Sequence, residues 1–372
     1  MGKTLRLRAG IGNPETGFHL TRVDPMSFAT LAGFSGGLLL ASLLLTGVVL
    51  RYLRHKAILD MPNHRSSHAV PTPRGGGLAV TPLLLVMLVG VTLWLGTGPG
   101  GVIWPRWLML AAAIGLAGIC WMDDRHDLSA RLRFGCQFIA VICGVTALDG
   151  PVLQGIVPLW LDHVLVVFAW VWFVNLFNFM DGIDGISGVE AGSIGAGVFV
   201  VSLLAFTPVF VDLGVIGLGM TAIMLGFLIW NWHPAKLFLG DVGSIPLGYV
   251  LGWLLLELAS RGAWLPALVF PAYYLFDATY TLVRRALRGE KIWQAHRQHA
   301  YQVATGRGMS HARVSFLILL ANIALITVVF VPLPLVISGA IGRLVLAAII
   351  VLLLVGILRF WPVAGGQNPP GK

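Results

Sequence analysis

Few residues in this chain have the chemistry to act on a phosphate, and they come in short polar islands. The first is Asn178-Phe-Met-Asp181-Gly-Ile-Asp184-Gly185, set between the apolar runs Leu165 to Phe177 and Ile194 to Phe206. Two aspartates and an asparagine beside hydrocarbon are expensive, and such residues usually line a site. An ordinary polar turn is the bland alternative, and Gly182, Gly185 and Gly188 would suit it equally well. A second island, Trp121-Met-Asp123-Asp124-Arg-His-Asp127, closes another apolar run. Adjacent carboxylates repel, so this pair calls for a compensating cation, either an oxygen-preferring metal such as Mg²⁺ or the nearby Arg131 and Arg133. A third, Asn231-Trp-His233-Pro-Ala-Lys236-Leu-Phe-Leu-Gly240-Asp241-Val-Gly243-Ser244, sets one aspartate between glycines, where it is either an accessible ligand or a helix cap.

Two basic stretches complete the set. The run Asn63-His-Arg65-Ser-Ser-His68 continues to Arg74-Gly75-Gly76-Gly77, just before an apolar segment. Glycines and a helix start offer backbone N–H groups to a phosphate, with Arg65 and Arg74 as clamps, unless the glycines merely break the chain. In His296-Arg297-Gln-His299 two histidines three apart share a helix face. They suit a phosphate when protonated, or sugar hydroxyls when neutral.

The elements that must position these islands are membrane helices. Of 372 residues, 57% are hydrophobic and 11% charged, and the mean hydropathy of +0.85 excludes an ordinary soluble globule. The fold expected is all-α and polytopic. A span needs about 20 apolar residues, and cutting the chain by that rule gives candidates at roughly 27–50, 77–97, 106–122, 134–148, 162–178, 190–207, 213–230, 245–259, 264–283, 314–331 and 339–360. That is one catalytic domain over 27–360, between tails at 1–26 and 361–372. One set of loops carries most Lys and Arg together with all five islands, while the other holds little beyond Arg106 and Arg261. Positive residues stay on the cytoplasmic side, so the islands converge on one cytoplasmic-face site. The acids Glu257 and Asp277 fall away from the islands and read as helix-packing polar groups. A net charge of +9 points to an anionic partner, either lipid headgroups or a phosphorylated substrate, and no nucleic acid is expected. Cys120, Cys136 and Cys143 lie in apolar segments with neither disulfide nor zinc spacing.

In their order and wording, the five motifs from Leu59 to Gln302 resemble those of the polyprenyl-phosphate N-acetylhexosamine-1-phosphate transferases, glycosyltransferase family 4. The resemblance implies transfer of a sugar-1-phosphate from a UDP-N-acetylhexosamine to undecaprenyl phosphate, with Mg²⁺ or Mn²⁺ as cofactor. By the family pattern Asp241 and Asn178 bind the metal, and Arg133 stands at the place of the pyrophosphate-binding basic residue. Asp123 and Asp124 hold or deprotonate the acceptor phosphate; Asp181, the catalytic candidate Asp184 and Lys236 shape the nucleotide side; His296, Arg297 and His299 meet the sugar or its phosphate. Asn63, Arg65, His68, Arg74 and Asp127 complete the substrate-binding set. Asp127 and the His-Arg-x-His-x-Tyr-Gln form look like enzymes that start O-antigen or related surface polysaccharides. The phospho-MurNAc-pentapeptide transferases typically carry a lysine where Asp127 stands and a denser histidine cluster. The location implied is the bacterial inner membrane, with a homodimer as a further expectation. A lipid-linked substrate transporter is the rival class, and it calls for acids near mid-span or interrupted half-helices.

Overall fold

The computed structural model describes residues 27–62, 70–96, 104–126, 128–204, 210–291, 294, 296–330 and 339–362. Thirteen helices occur among them: α1 (Phe28–His55), α2 (Gly77–Gly96), α3 (Trp104–His126), α4 (Ala130–Val145), α5 (Leu159–Met180), α6 (Ile186–Leu204), α7 (Val211–Asn231), α8 (Asp241–Ser260), α9 (Trp264–Val269), α10 (Ala272–Leu287), α11 (Ala300–Gly306), α12 (His311–Phe330) and α13 (Ala340–Phe360). The one sheet among the described residues is a two-stranded ribbon, β1 (Leu59–Asp60) antiparallel to β2 (Thr72–Pro73), with an isolated parallel bridge between Arg74 and Phe238 beside it.

Nine of these helices are long and apolar enough to cross a membrane. The two other expected spans come out differently. α4 has 16 residues, which is about 24 Å of helix and short of a hydrocarbon core of roughly 30 Å. The expected span at 264–283 is two helices, α9 and α10, interrupted at Phe270 and Pro271. Proline lacks the N–H that a continuous helix needs there, so the chain stops and restarts. α10 is two-faced: Tyr273, Asp277, Thr281 and Arg285 recur every fourth residue on its buried side, while Tyr280, Val283 and Leu287 are exposed.

α8 forms the centre, with Val242 to Leu255 buried throughout, and packs on α2, α3 and α5. α6 and α7 share the most extensive helix contact, and closely: a Cβ on Gly195 would lie 2.6 Å from the Gly217 carbonyl, and one on Gly217 2.5 Å from the Gly195 carbonyl. Lipid tails are as apolar as Leu, so helices in a bilayer gain from close backbone approach through small residues of this kind.

Candidate active site

The site begins with two loops stitched together. Phe238 N–H donates to the Pro73 carbonyl (2.9 Å), Gly75 and Gly76 N–H donate to the Phe238 carbonyl (3.1 and 2.8 Å), and Gly77 N–H donates to the Leu239 carbonyl (2.8 Å). A Cβ on Gly77 would stand 2.2 Å from the Gly243 nitrogen, so only glycine fits. The expectation that this glycine run offers its N–H groups to a phosphate is therefore corrected, because those groups are engaged by Phe238 and Leu239. What the run delivers instead is Arg74, placed beside the start of α8.

Arg74 Nη2 lies 2.6 Å from Asp241 Oδ1 and 3.5 Å from Asp124 Oδ1. Burial acts to lower its pKa, but Asp241 and Asp124 outweigh it and hold the guanidinium above its ordinary value. The neighbouring acids of α3 point apart, as residues about 100° apart on a helix must. Asp124 turns to α8 and accepts the Val242 N–H (3.3 Å). Asp123 turns to α4, where it accepts the Leu128 N–H (2.8 Å) and Arg133 Nη1 (2.8 Å). Arg133 in turn reaches within 3.6 Å of Asp241 Oδ2. Asp123, Asp124 and Asp241 thus face Arg74 and Arg133.

Around this centre the other island residues take separate places. Asn178 Oδ1 accepts the Ser244 hydroxyl (2.6 Å), tying the end of α5 to the first turn of α8. Asp181 accepts the Ser187 hydroxyl (2.7 Å); burial pushes its carboxyl up to about 6, with Ser187 and Arg74 pulling it back. Asp184 is bracketed by His233 Nδ1 (2.6 Å) and His311 Nδ1 (3.2 Å). Burial would raise it, but hydrogen bonds to His311 and His233 hold it below the usual carboxylate range. Lys236 is turned onto the Trp230 ring, its Nζ 5.5 Å from the centroid. Asn63, Arg65, His68 and Asp127 lie outside the described residues. The cation ligands this centre offers are the oxygens of three carboxylates, the kind a hard divalent cation prefers, and three carboxylates outnumber two guanidiniums.

The histidine loop is not a helix, contrary to expectation. His299 is the N-cap of α11 and His296 lies in irregular chain before it, yet their rings meet with centroids 4.7 Å apart. Burial first, then neighbouring positive groups including Arg285, push both imidazoles down to about 4. At neutral pH both are uncharged, the form that suits hydroxyls better than a phosphate. Arg297 between them is exposed. The loop's anchor is Asp277, whose two oxygens accept the Ala300 N–H (3.0 and 2.9 Å) and which lies 3.5 Å from Arg359. Sequence reasoning counted His233 and His311 only among the cytoplasmic-face histidines, without a role, and read Asp277 as a helix-packing group. The signal for Asp277 was an acid inside an apolar run, which is too costly to leave unpartnered.

The model of the family described as glycosyl transferase family 4 matches residues 106–259, the stretch holding Asp123, Asp124, Asn178, Asp181, Asp184 and Asp241. A probable undecaprenyl-phosphate N-acetylglucosaminyl 1-phosphate transferase of Bacillus subtilis is 31% identical over 297 residues, covering 76% of this chain and 78% of the relative. A decaprenyl-phosphate N-acetylglucosaminephosphotransferase of Mycobacterium tuberculosis is 28% identical over 318 residues, covering 74% and 76%. A phospho-N-acetylmuramoyl-pentapeptide-transferase of Deinococcus radiodurans is 31% identical over 200 residues, covering 48% and 59%. The chain belongs to glycosyl transferase family 4, the polyprenyl-phosphate N-acetylhexosamine-1-phosphate transferases.

Proposed function

We propose that this protein transfers N-acetylhexosamine-1-phosphate from a UDP-sugar to undecaprenyl phosphate at the cytoplasmic face of a bacterial inner membrane. The observation that carries this reading is the convergence of Asp123, Asp124 and Asp241 with Arg74 and Arg133 at one end of a membrane bundle. Two polyanions must meet there, and that requires fixed positive charge set among oxygens able to hold a cation.

An oxygen of the acceptor phosphate attacks the β-phosphorus of the donor, the bond from that phosphorus to the bridging oxygen breaks, and UMP leaves. A lipid-linked diphosphate sugar remains. The second pKa of a phosphate monoester is near 6, so the acceptor is largely dianionic at pH 7 and needs no strong base. Arg74 and Arg133 balance the charge of the two substrates. Asp241, Asp124 and Asn178 would hold Mg²⁺ or Mn²⁺, which when bound would neutralise part of the phosphate charge. The neutral His296 and His299 pair meets the sugar hydroxyls, while Asp181 and Asp184 shape the nucleotide side. An apolar groove of about 910 Å³ between α9–α10 and α13, edged by Arg284 and Arg288, fits the prenyl chain of the acceptor. The pathway served is the first membrane step of O-antigen or a related surface polysaccharide.

The test is to incubate detergent-purified protein with a panel of UDP-N-acetylhexosamines and undecaprenyl phosphate, and to measure UMP. Sugar-dependent UMP release with a matching lipid-linked product supports the reading, and no release with any sugar tried overturns it.

A further inference from the structure

We propose that Asp184, His233 and His311 form a second cation site, built for a borderline divalent metal of the Zn²⁺ class. The three residues come from separate segments: the turn before α6, the loop after α7 and the first residue of α12. Their ligand atoms, one carboxylate oxygen and one ring nitrogen from each histidine, all lie within 4.8 Å of one another. His233 Nδ1 and His311 Nδ1 approach different oxygens of the one carboxylate, at 2.6 and 3.2 Å, and the ring centroids are 5.2 Å apart. A tetrahedral ion with ligands at about 2.0 to 2.2 Å fits between such atoms once the His233 ring turns back from the carboxylate to admit it.

The donor chemistry sets this cluster apart from the carboxylate centre. Around Asp241 the donors are oxygens, which suits Mg²⁺. Here two of the three are imidazole nitrogens, and imidazole selects Zn²⁺ and its neighbours over Mg²⁺. Three protein ligands leave a fourth position for water, as in zinc sites of the two-histidine, one-carboxylate kind. His233 is exposed, which leaves an entry path, while Asp184 is buried and firmly supported. The Ala235 N–H donates to Asp184 Oδ2 (3.2 Å), the Ser315 hydroxyl donates to the Asp184 carbonyl (2.8 Å), and the Gly185 N–H donates to Asn231 Oδ1 (3.0 Å). Supports of this kind around the ligands fix a ligating carboxylate in place. Metal entry displaces the protons that bridge carboxylate and imidazoles, and clamps the turn after α5, the loop after α7 and α12 together. Asp184 also stands on the nucleotide side of the transfer site proposed above, and Zn²⁺ binding is measured without any turnover.

The experiment uses the full chain, purified in detergent, stripped with chelator and held in excess Mg²⁺, then titrated with ZnCl₂. Expected are one tightly bound Zn²⁺ per chain, and a visible absorption band of tetrahedral Co²⁺ when CoCl₂ is used instead. His233→Gln and His311→Gln should each weaken Zn²⁺ binding by about tenfold or more, whereas Asp241→Asn should leave it unchanged. No saturable Zn²⁺ binding at micromolar metal, or no nitrogen ligands by X-ray absorption of the wild-type complex, overturns the proposal. So does Zn²⁺ binding that both histidine variants retain in full. The absorption measurement needs no variant, so a variant that fails to fold does not blunt the test.

Discussion

The two ends of the α7–α8 pair carry nearly the same charges and use them in opposite ways. At the end away from the site, Arg261 binds Asp212 (2.6 Å), Glu257 (2.8 Å) and Asp149 (2.8 Å), and Arg106 adds a second contact to Asp212 (2.9 Å). That is two guanidiniums against three carboxylates, the same count as Arg74 and Arg133 against Asp123, Asp124 and Asp241. What differs is access: side-chain exposure is 8% for Arg261 and 13% for Arg106, but 40% for Arg74 and 36% for Arg133. With both guanidiniums covered and only Asp149 open to water, the first network satisfies itself and fastens α3, α7 and α8 together. Left open, the second has charge to give to a substrate. Charge count does not mark a site, and access to the charge does.

The sharpest break of this comparison is Asp241→Asn. Removing one charge from the open centre should lower kcat by about a thousandfold while the melting temperature stays near wild type, measured as UMP release and thermal unfolding of the same preparation. Arg261→Met is its mirror at the sealed end. It leaves the buried Glu257 unpaired and Asp212 with Arg106 alone, and should lower unfolding stability by about 3 to 5 kcal/mol with KM for the UDP-sugar unchanged in whatever protein stays folded. A stability near wild type would show that the sealed network fastens nothing.

Next come His296→Gln and His299→Gln, each expected to reduce kcat/KM by about one to two orders of magnitude through a lost hydrogen bond to the sugar, with membrane protein levels unchanged. Near-normal turnover in both would return this loop to a topological role. A smaller effect separates the acids of α3. Asp123→Asn frees Arg133 and the Leu128 N–H and should raise KM by about tenfold, about 1.4 kcal/mol, whereas Asp124→Asn, which meets Arg74 beside Asp241, should act mainly on kcat. Equal losses of the same kind would remove that division. The smallest effect is on pH. With folded pKa values of about 4 for His296 and His299, below the unfolded value of 6.5, unfolding takes up protons. Their contribution to stability is complete above pH 6.5 and is lost as pH falls towards 4. The melting temperature of wild type should fall over that window more steeply than that of His299→Gln.

Much of this was legible in the sequence because it is local. Asp123-Asp124 and Gly240-Asp241 announce themselves as polar islands in apolar runs, and nine expected spans match helices. What escaped was set by partners remote in the chain. The glycine run read as a phosphate cradle because nothing local shows that Phe238 and Leu239 would take its N–H groups. The break before α10 hung on one proline within a run apolar enough to pass as a single span. The histidine pair had the right neighbours for the wrong reason: its rings meet through the fold of an irregular loop, not through helical spacing. Asp277 could be paired with Ala300 and Arg359 only once three helices were in place.

The stitched loops also fix when in its synthesis the protein can work. Arg74 and Asp241 are 167 residues apart, and a ribosome adding roughly 5 to 20 residues per second needs on the order of ten to thirty seconds to make the second after the first. Until Phe238 to Asp241 have been made, β2 has no Phe238 N–H to accept, the glycine run has no carbonyls to bind and Arg74 has no Asp241. A nascent chain with its first seven helices inserted therefore has no assembled centre with which to capture a lipid phosphate. The enzyme switches on by completing itself.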